Sequence, residues 1–63
     1  MNVINEGFKE AIEKIANSGD QTLIFHNILH VSRLLQHFIK TKNTENAALC
    51  ADLLQKLTEA LET

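Results

Sequence analysis

The sequence contains no proline, tryptophan or tyrosine, two glycines and one cysteine in 63 residues. Each shortage excludes something. Proline and glycine interrupt helices and make turns, so a chain almost free of them is expected to be helical nearly throughout. A single cysteine, Cys50, cannot close an intrachain disulfide. A secreted disulfide framework is therefore excluded, and a reducing, cytoplasmic setting is expected. Without tryptophan and tyrosine, and with Phe8, Phe25 and Phe38 expected in the core, platforms for stacking nucleic-acid bases are missing. No apolar run approaches the roughly 20 residues that cross a bilayer, so no membrane partner is expected. The opening MNVINEGFKE has neither the basic start nor the apolar run of a secretory leader, and none is expected.

Acidic residues are also missing, but only locally. Between Asp20 and Glu45 there is none, while Arg33, Lys40 and Lys42 are positive. The segments on either side are acidic, so the net charge of −2 conceals a basic middle and two acidic flanks. Attraction between the basic middle and the acidic last segment is expected to favour their antiparallel pairing. An apolar content of 44% is ordinary for a globular chain. The length allows one helical domain, residues 1–63, with a marginal core of the kind small proteins often reinforce by oligomerising.

The apolar periodicity predicts an all-α fold of three helices, at about 3–17, 21–40 and 44–62. In the first, Ile4, Phe8, Ala11, Ile12 and Ile15 fall on one helical face, with Asn2 as the expected N-cap. The segment NSGD then stops the helix: Gly19 suits a left-handed position and Asp20 the next N-cap. In the second, Ile24, Ile28, Val31, Leu35 and Phe38 alternate by four and three as a heptad seam. Leu23, Phe25, Leu29, Leu34 and Ile39 widen its apolar arc to about 220°, against the ~100° that one packed face needs. In the third, capped by Asn43 or Thr44, the seam is Ala47, Cys50, Leu54, Leu57 and Leu61, widened by Leu53 and Ala60. The short link KTKN predicts an antiparallel hairpin of the second and third helices. One partner helix cannot cover the arc of the second. Two hairpins joined in a four-helix core would, so a homodimer is expected.

Chemistry has one candidate stretch, FHNILHVSRLLQH. His26 and His30 have the spacing of a helical zinc pair, yet Asn27 stands where a zinc peptidase needs its glutamate base. A closed zinc site takes four ligands, and His37 is too far along the helix to join the same ion within one chain. No metal or other cofactor is expected. Cys50 lies in a seam and reads as a small buried hydrophobe. No phosphate loop, paired-carboxylate pocket or activated nucleophile is present, so no enzymatic activity is expected. The residues around Gly19 do not fit a helix-turn-helix, since Ile15 and Asp20 occupy its small and apolar positions. What remains is a stripe: His26, His30, Arg33, His37 and Lys40 share one sector of about 80° on the second helix. It reads first as the solvated edge of a helix otherwise buried, and second as a contact strip for an acidic partner or a phosphate backbone. Histidine charge would make such a strip pH-sensitive.

FHNILHVSRLL is similar to the dimerisation helix of sensor histidine kinases, but aligning Asn27 and Leu29 with that pattern puts Leu23 at the phosphoacceptor position. In layout alone the chain is similar to a small plasmid protein that pairs two helical hairpins to bind kissing RNA loops. From MNVINEGFKEAIEKIA to LLQKLTEALET it resembles the small all-helical accessory proteins of lambdoid bacteriophages, those encoded between the exonuclease and excisionase genes. That resemblance implies a regulator in the bacterial host cytoplasm that binds other macromolecules during phage development, and it carries no site residue. The expected function is a small regulatory module that binds a protein partner. An RNA-binding dimeric hairpin using the stripe is the alternative.

Overall fold

The computed structural model describes residues 4–61, which form three helices: α1 (Glu6–Ala16), α2 (Gln21–Lys40) and α3 (Thr44–Ala60). Among the described residues there is no strand. Each helix starts at a side-chain cap. Asn5, Asp20 and Asn43 each accept the backbone N–H three residues on, from Phe8, Leu23 and Asn46, at 2.9, 3.1 and 3.2 Å. Such caps satisfy amides that have no partner inside the helix. The expected cap at Asn2 lies outside the described residues; α3 ends earlier than the expected residue 62, with Leu61 in extended backbone as its C-cap. Ile4 stands before the α1 cap rather than on the helix, and is buried all the same.

The two connections solve the same problem with different residues. After α1, Ser18 donates its N–H and its hydroxyl to the Ile15 carbonyl, and Gly19 takes φ 77°. Nothing lies within 4 Å of where a Gly19 Cβ would be, so glycine serves the backbone angle and not close packing. After α2, Asn43 N–H reaches the Phe38 carbonyl and Lys42 N–H the Ile39 carbonyl, the paired bonds of a Schellman stop. The left-handed residue there is Lys42, at φ 61°. Asn43 therefore closes one helix and opens the next.

α3 packs most extensively on α2, then on α1, and α1 touches α2 least. The Gln21 side-chain amide lies 3.5 Å from the Ala60 carbonyl, so the start of α2 meets the end of α3. Three residues separate the opposite ends, and the two helices form an antiparallel hairpin. The core is Ile4, Ile12, Ile24, Val31, Phe38, Cys50, Leu53 and Leu57, with Asn46 as the buried polar residue. Leu53 is central on α3, while Leu54, expected in the seam, is half-buried. Burial pushes the Cys50 thiol above its ordinary pKa, as for an inert core cysteine.

No ion pair joins α2 to α3 among the described residues. Among the described residues the interhelical ion pair joins α3 to α1: Lys56 Nζ to Glu13 Oε2 at 2.6 Å. This hydrogen bond holds the Glu13 carboxyl below its ordinary value and raises Lys56 above its own. The hairpin is thus an apolar construction. One correction concerns Phe25, expected in the core and found 49% exposed.

Three outcomes are expected. In urea unfolding, Asn43→Ala should lower stability by about 1 kcal/mol through loss of the α3 cap. Lys42→Gly should raise it by about 0.5–1 kcal/mol by relieving a left-handed side chain. Because Glu13 is depressed in the folded state, the contribution of its pair is complete above the ordinary carboxylate pKa. It disappears as pH falls through the folded value. Glu13→Gln should therefore flatten the acid limb of a melting-temperature profile below the ordinary carboxylate pKa.

Candidate functional site

The heptad seams of α2 and α3 each divide in two. On α2, Ile24, Val31 and Phe38, seven residues apart, are buried, whereas Ile28 and Leu35 between them are half-buried. On α3, Cys50 and Leu57 are buried, whereas Ala47, Leu54 and Leu61 are half-buried. The position of α1 explains the division. Phe8 meets the His30 ring with centroids 6.2 Å apart, and Glu13 meets Lys56. At about 100° per residue, Ile28 and Leu35 lie roughly opposite His30 on α2, and Leu54 lies roughly opposite Lys56 on α3. α1 therefore covers one face of the hairpin and leaves the other open. The molecule is a slab, 32 × 21 × 14 Å across its Cα atoms.

Beyond the half-buried rows the α2 arc continues into side chains that water reaches. Phe25 and Ile39 are 49% and 62% exposed and extend the Ile28–Leu35 row outward. Leu29 at 45% and Leu23 at 40% lie further round, on either side of the histidine stripe. Residues spread singly would need no explanation. Phe25 and Ile39 are continuous with the half-buried seam residues and enlarge that apolar surface, whereas Leu29 and Leu23 border the stripe.

The stripe itself is fully displayed. His26, His30, Arg33, His37 and Lys40 are all exposed and lie on the edge of the slab away from α3. None has an ion-pair partner among the described residues. Each imidazole is beside a phenyl ring: His26 with Phe25, His30 with Phe8, and His37 edge-on to Phe38 at 5.5 Å. Only the His30 contact links two helices. His37 and Lys40 occupy the last turn of α2, where positive charge complements the helix dipole.

Other chemistry has less to offer. Among the described residues no three His, Cys, Asp or Glu side chains gather as metal ligands. The open groove between α1 and α3 is lined by Glu13, Ala16, Asn17, Lys56, Glu59 and Ala60, and the Glu13–Lys56 pair lies in it. No fully buried side-chain nitrogen or oxygen among the described residues lacks a partner. Among the described residues no helix is long and apolar enough to cross a membrane. Compared with protein-family models, curated proteins and solved structures, the chain matches none.

All the proposed stripe residues are thus brought to one face of α2, and the seam residues Ile24, Val31, Phe38 and Leu57 are part of the core. Ile28, Leu35, Leu54 and Leu61 face the open side. Sequence reasoning missed the exposure of Phe25, although the width of the α2 arc was the signal for it. Since Arg33 and Lys40 touch nothing charged, Arg33→Ala and Lys40→Ala should each leave stability within about 0.5 kcal/mol of wild type in urea unfolding.

Proposed function

We propose that this chain is a non-enzymatic helical interaction module, which pairs with a second copy of itself and acts by binding another macromolecule. The observation that carries the reading is the open face of the hairpin. Its rows Ile28–Leu35 and Ala47–Leu54–Leu61 repeat every seven residues, as dimeric helical bundles require. A two-fold arrangement would lay this face on its counterpart, because an isologous contact uses the same patch twice. Four helices would then enclose the half-buried rows, with each α1 outside. Phe25 and Ile39 would be covered at the margin. The small size of the protomer core supplies the motive, since a chain this short buries little surface alone.

In such a dimer the histidine stripe stays on the outer edge of each α2, free to meet a partner. A regulatory role, as the resemblance to phage accessory proteins implies, needs no pocket and no catalytic group. It needs a surface that is both stable and unoccupied. RNA binding by the stripe is the second reading, and the row of unpaired cations is what favours it.

Sedimentation equilibrium tests the assembly. Wild type should sediment as a dimer at micromolar concentration, and Ile39→Glu should shift it to monomer while its helical circular dichroism is retained. Leu35→Glu should lose both assembly and fold, because the two are linked at the half-buried row. A compact wild-type monomer at high micromolar concentration would refute the dimer. Capture of a defined protein from extract, surviving nuclease, would support protein binding. Loss on nuclease treatment would support RNA.

A further inference from the structure

The exposed arc of α2 spans about 200°, twice what one packed helix covers. Its apolar part belongs to the open face. The other part, centred on Arg33, carries two cations and three imidazoles; Phe8 of α1 lies beside His30, but among the described residues no carboxylate pairs with the strip. Resting on the reading of the chain as a binding module, we propose that this strip docks an acidic amphipathic helix of a protein partner.

Spacing gives the first argument. His26, Arg33 and Lys40 are each seven residues apart, with His30 and His37 interleaved. Steps of four, three, four and three keep the strip parallel to the helix axis for about 21 Å. A second helix crossing at about 20° stays in contact over such a length. Carboxylates repeating at three and four residues along it would meet Arg33, Lys40 and the imidazoles between them in register.

Composition gives the second. Leu29 and Leu23 border the strip, each exposed by two-fifths or more. A partner helix with acidic residues flanked by apolar ones can cover them. A phosphate backbone would leave them against charged oxygens. The rest of the charge distribution gives the third. Residues 1–20 carry Glu6, Glu10, Glu13 and Asp20 against Lys9 and Lys14, and α3 carries Glu45, Asp52 and Glu59 against Lys56. A duplex, broader than one helix face, would meet these acids as soon as it extended beyond the strip. A single helix would not.

The third helix of another copy is the nearest rival occupant, since Glu45, Asp52 and Glu59 are also seven apart and exposed. Its acidic face is flanked by Ala48 and by Leu49, which is half-buried against its own core, and Asp52 already acts on Lys56. It would not cover Leu29 and Leu23.

Fluorescence anisotropy with a labelled synthetic helix tests the proposal. The probe carries Glu at alternating three- and four-residue spacing, flanked by Leu, and a scrambled peptide of the same composition is the control. Wild-type protein should bind the ordered peptide at least about tenfold more tightly than the scramble, and added salt should weaken binding. Arg33→Glu with Lys40→Glu should abolish that binding and create affinity for the same helix with Lys in place of Glu. Both positions are exposed, and an unchanged melting curve confirms the fold. Equal affinity for ordered and scrambled peptides, or none for either, overturns the proposal. So does tighter binding of a duplex or hairpin RNA than of the ordered peptide. Salt-sensitive growth of wild type beyond a dimer, abolished by Glu59→Lys, would put a second copy on the strip and also overturn it. The oligomeric state is read separately by sedimentation, so failure of the peptide test leaves the dimer question independently answered.

Discussion

Everything in this small fold follows from the apolar pairing of α2 with α3. Ile24, Val31 and Phe38 from one helix and Cys50, Leu53 and Leu57 from the other are almost entirely withdrawn from water. No ion pair reinforces the contact among the described residues. Burial of a Leu, Ile, Val or Phe side chain contributes roughly 1.5–3 kcal/mol before the entropy of ordering is subtracted. A core of eight buried apolar residues leaves little surplus. The turn at Lys42 and Asn43 matters for the same reason. By ending α2 and starting α3 within three residues, it sets the register of the pairing at low loop entropy.

α1 has a different part. It is shorter, packs mainly on α3, and is anchored by Ile4, Ile12, the Phe8–His30 contact and the Glu13–Lys56 pair. By covering one face of the hairpin it makes the two faces unlike. The asymmetry sorts the α2 surface into three sectors: one towards the core, one continuing the open apolar face, and one basic edge. Function of the kind proposed depends on that sorting, because assembly and partner binding can then use separate sectors of one helix.

Much of this was legible in the sequence because helical structure is encoded locally. The breaks at Gly19 and at the Lys42–Asn43 link, the caps Asp20 and Asn43, and the limits of α2 follow from turn chemistry and from a period close to 3.6. The stripe from His26 to Lys40 was readable for the same reason, since residues at spacings of three and four share a face wherever the helix is placed. The left-handed Lys42 was not legible. Lysine carries no signal for that angle, and the Schellman bonds impose it.

By itself, then, the sequence determined the helices, the hairpin and the common face of the five basic residues. Only the tertiary structure decided which half of each seam is core. Periodicity reports that Ile24 and Ile28, or Leu53 and Leu54, lie on the apolar side, but it has no reference for where the neighbouring helices stand. Long-range packing supplies that reference. The placement of α1 sends Leu53 inward and leaves Leu54 half-covered, exposes Phe25, and sets Glu13 rather than an α2 cation beside the α3 charges. Charge attraction reaches many geometries with similar energy, whereas close-packed apolar side chains fit in few. Packing therefore chose the arrangement, and the charges of α2 were left facing outward.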